Sequence, residues 1–148
     1  MADCYIALGR SDEALVMRRD IYERTSKLDG IDDQNTIISA TRLADALINE
    51  GCYGEARAFC AKQSRVARRV LGSESTETLA FRLHYAISLY NDGGSRLDEA
   101  LAILEDVHQT TRRLFGDAHP RTRGVQQAIS EAREWQADDA DGAADAAR

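Results

Sequence analysis

Proline is almost missing from this chain. It occurs once in 148 residues, and aromatic residues make up only 6%. A turn-rich β architecture needs more of both, so the shortage points to helices. No uninterrupted apolar run approaches the roughly 18 residues of a membrane span, and the N-terminus lacks a basic stretch followed by an apolar one. Neither membrane nor secretory signal is read here, and the expected compartment is the cytosol. The three cysteines, Cys4, Cys52 and Cys60, have no close pairing of a zinc or redox kind. Cys60 falls within an apolar helix face and reads as a small core residue. A net charge of −6 argues against nucleic acid or anionic membrane as the main partner.

What the chain has in quantity is itself. Glu13-Ala14 returns 42 residues on as Glu55-Ala56, and Thr36 returns as Thr78. Gly9 returns as Gly51 and Gly93, and Gly30 as Gly72. One further step is 44 residues, to Glu99-Ala100, Gly116 and Thr122, with Gly93-Gly94-Ser95-Arg96 as the place for two extra residues. A period in this range marks a stacked helical-repeat solenoid, whose usual work is to hold another protein.

Each repeat reads as two helices. The apolar spacing of Leu43, Ala44, Leu47 and Ile48 predicts an amphipathic helix over Ile37 to Glu50, ended by Gly51. A second helix starts near Gly54-Glu55 and runs through Ala56, Phe59, Cys60 and Val66 to Leu71, where Gly72 supplies a left-handed stop. Repeat three follows the plan, with helices over Thr76 to Asn91 and Asp98 to Phe115, the latter stopped by Gly116. Asp33, Ser75 and His119 share one connector position; Asp33 and Ser75 are good N-caps, and Pro120 follows His119 at a first helical position. Lys27, Arg69 and Arg113 recur before the stops, complementing helix dipoles. A first helix (Ala2 to Leu8) begins part-way, and a last one (Pro120 to Trp135) carries Val125, Ala128, Ile129, Ala132 and Trp135 as a capping face. Beyond Gln136 the alanine and aspartate tail has too little apolar bulk to pack and is expected to lack fixed structure.

These residues resemble a family. Leu114-Phe115-Gly116-Asp117-Ala118-His119-Pro120-Arg121-Thr122 is similar to the inter-repeat signature of the 42-residue tetratricopeptide repeats of kinesin light chains, Leu-Gly-x-x-His-Pro-x-Thr. Leu71-Gly72, Thr78-Leu79-Ala80, Leu43-Ala44, Gly51 and Glu55-Ala56 match in register, over roughly residues 2 to 130. The period alone would also permit HEAT or armadillo repeats, to which that connector is foreign. The resemblance implies an all-α, right-handed superhelical solenoid of antiparallel helix pairs. It has about three repeats (1–32, 33–74, 75–118) and a capping helix (119–136), a repeat domain over 1–136 with an acidic tail over 137–148. The chain departs from the family at Asp33-Gln34 and Ser75-Thr76, which replace His-Pro. Paired asparagines of the first helix are also absent, Thr41-Arg42 and Leu83-His84 standing there.

Catalysis finds no convergent constellation. His84, His108 and His119 fall at different repeat positions, and a Cys60–His84 pair would lack an oxyanion loop and an orienting acid. Phosphate signatures are missing, and neither metal nor cofactor is implied. The resemblance places the first helices of successive repeats along a concave face. Groove candidates are then Ile38, Thr41, Asp45, Ile48 and Asn49 from repeat two, with Ala80, Leu83, Ile87, Tyr90 and Asn91 from repeat three. Ile6 and Ala7 extend the stripe upstream, Gln127 and Glu131 downstream. Asn49 and Asn91 are repeats of one another, and an amide both donates to and accepts from a peptide backbone. Tyr90, read as partly exposed, is the expected aromatic anchor. The alternative is that some of these side chains only pack against neighbouring helices. The expected function is a non-catalytic interaction scaffold binding a peptide of a partner protein. Its rival is self-association into a homo-oligomer through the truncated first repeat, which leaves Leu15, Ile21, Tyr5 and Ile6 needing a cover.

Overall fold

Helix boundaries follow from local chemistry. In the computed structural model, which describes residues 10–92 and 96–147, six helices succeed one another: α1 (Ser11–Leu28), α2 (Gln34–Asn49), α3 (Tyr53–Leu71), α4 (Thr76–Asn91), α5 (Leu97–Phe115) and α6 (Pro120–Ala146). No strand occurs among the described residues. The predicted first half-helix, with Tyr5, Ile6 and Ala7, and the break at Gly93-Gly94-Ser95 lie outside them.

All three connectors cap the helix that follows. The Asp33 carboxylate accepts from the Asn35 amide at 2.7 Å, and the Ser75 hydroxyl accepts from the Thr78 amide at 3.1 Å. His119 does the same work through Nδ1, which accepts from the Arg121 amide at 3.2 Å, while its ring stacks on Phe115 with centroids 4.8 Å apart. α2 therefore starts at Gln34, three residues before the periodic apolar pattern begins, because its first turn is held by the cap and not by packing. At the other ends, Gly72 and Gly116 stop α3 and α5 with φ of 95° and 85°, a region where a Cβ would be strained. The Thr78 hydroxyl then donates to the Gly72 carbonyl at 2.8 Å, tying the start of one helix to the stop of the preceding one.

Packing repeats with the sequence. Ala14, Ala56 and Ala100, one per repeat, are fully buried, and Ala56 packs against Leu43 and Leu47 where α3 approaches α2, leaving room for only a methyl. Each helix packs on the next in sequence. First helices also touch across repeats, α2 on α4 and α4 on α6, whereas the second helices α1, α3 and α5 do not meet backbone to backbone among the described residues. Long side chains bridge that wider spacing: the Gln63 amide donates to the Tyr22 hydroxyl at 2.7 Å, Tyr22 packs edge-on to Phe59 at 5.2 Å, and Arg19 pairs with Glu55. Close first helices and spread second helices bend the stack, with α2, α4 and α6 on the inside.

Two ion pairs recur with the repeat. Arg69 near the end of α3 pairs with Asp32, and Arg113 near the end of α5 pairs with Glu74, 42 residues beyond Asp32 in the preceding connector. These arginines, expected only to complement helix dipoles, also pin each second helix to the connector behind it. Both pairs are solvent-exposed, so each contributes about 0–1 kcal/mol and chiefly fixes register.

The C-terminal end differs from expectation. α6 continues to Ala146 instead of ending near Trp135, with every residue from Glu134 to Ala147 exposed. Alanine is the best helix former and no proline or capping glycine intervenes in time, so the helix propagates without packing. Trp135, expected in the capping face, is 43% exposed; Val125, Ala128, Ile129 and Ala132 do form that face.

The alanine contacts give a direct test. Ala56→Leu should lower stability by about 1–3 kcal/mol through overpacking, read as an earlier denaturant midpoint with unchanged helical content. A midpoint equal to the parent's would mean that α2 and α3 are not in close approach at Ala56.

Candidate functional site

The concave face is built from the non-core stripe of three first helices. On α2 the residues left incompletely buried recur at Ile38, Thr41, Asp45, Ile48 and Asn49, a spacing of three and four that keeps them on one face. One repeat on, the same positions hold Ala80, Leu83, Ile87, Tyr90 and Asn91, and 44 residues further Gly124, Gln127, Glu131, Glu134 and Trp135. The face is thus apolar on α4 and polar or acidic on α6.

Several candidates are already engaged. The Thr41 hydroxyl donates to the Ile37 carbonyl at 3.0 Å, and the Asn91 amide donates to the Ile87 carbonyl at 2.9 Å, each within its own helix. Asn49 is exposed at the end of α2. Ile48 packs against the cluster of Leu43, Leu47 and Ala56, while Leu83 and Ile87 rest half-buried on the core beneath α4. Gln127 donates to Glu131 at 3.2 Å.

Tyr90 requires correction. It is 1% exposed, not a partly exposed anchor, and its phenol donates to Glu131 Oε2 at 3.0 Å across to α6. Burial first, then the Glu131 carboxylate, pushes the phenol well above its ordinary pKa, so it stays a donor. Tyr90 is a strut between two first helices that fixes the Glu131 carboxylate on the groove wall.

Two hollows lie along the α4–α6 seam. One, of about 110 Å³, is mainly apolar and lies between Leu79, Ala80 and Leu83 of α4, Gly124 and Val125 of α6, and the buried Val107 and Thr111 of α5, with Arg121 at its rim. Gly124 lines it without crowding: a Cβ there would meet nothing within 4 Å. The other, of about 230 Å³, is lined by Tyr90, Asn91, Glu131, Glu134, Trp135 and Asp138. Sequence reasoning missed Gly124, Glu134, Trp135 and Asp138, although the repeat register places the first three on the same positions as Ala80, Tyr90 and Asn91.

At the α2–α4 junction, His84 Nε2 lies 3.4 Å from Asp45 Oδ1, and His84 Nδ1 is buried without a partner. The hydrogen bond from His84 outweighs partial burial and holds the Asp45 carboxyl below its ordinary pKa. His84 therefore faces a carboxylate on a neighbouring first helix. Cys60, fully buried, has its thiol pushed up to about 12 by burial alone. At neutral pH it is not a nucleophile. Among the described residues no group of three or more His, Cys, Asp or Glu could hold a metal, and no helix is long and apolar enough to cross a membrane.

Comparison with known proteins agrees with this geometry. A sequence profile of the tetratricopeptide repeat matches residues 95–121, spanning α5 and the connector that follows it. The nearly identical TPR-like repeats of a kinesin light chain-type protein from Podosopora anserina superpose with a TM-score of 0.78 at 21% identity, covering 92% of this chain and 64% of that one. Their Q17M variant superposes with a TM-score of 0.70 at 22% identity, covering 93% and 64%. The fold is a tetratricopeptide-repeat solenoid. No curated protein matches the chain. This solenoid spans about 64% of the length of the solved repeat arrays it matches. The spacing of the glycine stops is kept in the fold, with Gly72 after α3 and Gly116 after α5.

The buried thiol provides a check on the core of this solenoid. Iodoacetamide at pH 8 should label half-buried Cys52 while leaving Cys60 untouched until denaturant is added, since about one Cys60 in ten thousand is thiolate there. Peptide mass spectrometry reads both sites. Equal labelling rates would contradict the packing of α3 on α2.

Proposed function

We propose that this chain is a non-catalytic interaction module that binds a peptide segment of a partner protein along its concave face, with no cofactor and no nucleic acid involved. The unit that does this is the repeat array up to about residue 136, and the cytosol is its compartment. One observation carries the reading: an open apolar cavity of about 110 Å³ sits where α4 and α6 meet over α5, where packed helices ordinarily leave no void. A hollow of that size takes one aliphatic side chain. Leu83 and Ile87 continue the apolar floor beside it, and Asn49 and Asn91 stand at the far end as amides for a peptide backbone. Ile38, Thr41, Asp45, Ile48 and Gln127 complete the wall.

Self-association is the second reading, favoured by the surface of α1. Val16 is 67% exposed, Leu28 83% and Ile21 43%, apolar side chains of α1 that a second copy would cover. Sedimentation at high concentration separates the two readings, since a strict monomer removes this one.

Gly124→Leu tests the groove cleanly. The new side chain fills the cavity without a backbone clash and replaces a mid-helix glycine, so stability should be unchanged or higher by up to about 1 kcal/mol. Peptides selected by display against the parent should bind this variant at least tenfold more weakly, while Arg68→Ala on the convex side should bind them as the parent does. Binding lost in Arg68→Ala and kept in Gly124→Leu would place the partner on the outer face and sink the proposal.

A further inference from the structure

We infer that the partner segment carries an apolar side chain at one end and basic side chains at the other, read by a polarity built into the α4–α6 seam. The inference rests on the peptide-groove reading and adds the chemical class of the partner. At one end of the seam lies the apolar cavity with Arg121 at its rim, which repels a cation there. At the other lies the hollow walled by Glu131, Glu134, Asp138 and Trp135.

Six carboxylates elsewhere on the molecule are neutralised. Asp32, Glu55, Glu74, Asp92, Asp106 and Asp117 each pair with an arginine. Glu134 and Asp138 have no such partner among the described residues, and Glu131 receives only the Tyr90 hydroxyl and the Gln127 amide. They stand beside Trp135, 43% exposed, whose ring can face a guanidinium or ammonium group. An aromatic wall and unpaired carboxylates around a cavity of about 230 Å³ are complementary to a lysine or arginine side chain.

The unpacked end of α6 extends the same polarity. Glu131, Glu134, Asp138, Asp141 and Asp145 recur at spacings of three and four, so they line one face of the helix as an acidic rail. The fully exposed extension thus continues the charge of the seam. The cavities are centred about eleven helical residues apart, roughly 16 Å. An extended peptide covers that span in about five residues at roughly 3.3 Å each. The partner therefore places an aliphatic residue and a cluster of arginine or lysine about five positions apart.

Trp135 is the sole tryptophan, so its fluorescence reports on the basic end directly. The probe is an octapeptide with leucine second and arginine seventh and eighth in a glycine-serine background, against its twin with glutamate for both arginines. Titrated into the full chain at low salt, the arginine peptide should perturb Trp135 emission saturably and bind at least tenfold more tightly than the twin. Glu134→Gln with Asp138→Asn should cut its affinity at least fivefold, and Gly124→Leu should weaken it too. Twin and probe binding alike, or the double variant binding as the parent does, would overturn the inference. If the glutamate peptide binds better and Gly124→Leu blocks it, the groove stands and its basic preference falls. Arginine-peptide binding indifferent to Gly124→Leu would reduce the effect to attraction by the α6 extension and overturn the two-ended reading. Absence of binding by both peptides would overturn it as well.

Discussion

Everything in this solenoid depends on three methyl groups. Ala14, Ala56 and Ala100 occupy one position in successive repeats and all are fully buried, Ala56 and Ala100 within the clusters that join a second helix to the first helix before it. A larger side chain would hold the helices apart, and the first helices could no longer pack directly on one another across repeats. That direct packing puts α2, α4 and α6 on the inside of the bend. The groove is thus a geometric consequence of small residues placed elsewhere, and its own side chains need not hold the fold together.

Freed from that duty, the inner face carries chemistry that packing alone does not require. Its core-side residues are conventional, with Leu43, Leu47, Ala86 and Leu89 buried. Its groove side changes character from helix to helix, apolar at Leu83 and Ile87, acidic at Glu131 and Glu134. Tyr90 joins the two regimes: its ring fills the core beneath α4 and its hydroxyl holds a carboxylate of α6. The connectors on the outside work differently, through caps and the Arg69–Asp32 and Arg113–Glu74 pairs that keep every repeat in register.

The repeat was legible in the chain because it is written redundantly. Glycine stops, capping residues, the Glu-Ala pair and the connector threonine each recur at the same interval, so an error in one is corrected by the others. Helix pairing and the Thr76–Asn91 boundaries followed from that. The burial of Tyr90 did not, because it is decided by a residue 41 positions away that lies on the far side of a helix pair. Trp135 misled in the opposite sense: its spacing from Ala132 and Ala128 suits a capping face, yet register with Asn49 and Asn91 turns it to the groove. The run of helix past Gln136 is not legible from apolar spacing, because it buries nothing and rests on alanine's intrinsic preference for helix.

The claim at the centre of this account is that the inside of the bend is the working surface. Amide hydrogen exchange, measured on the full chain with and without a saturating display-selected peptide, tests it most directly. Slowed exchange should fall on α4 and α6, strongest between Ala80 and Asn91 and between Gly124 and Trp135, with α3 and α5 unchanged. Protection confined to α3 and α5 would contradict the account, because those helices form the outside of the solenoid.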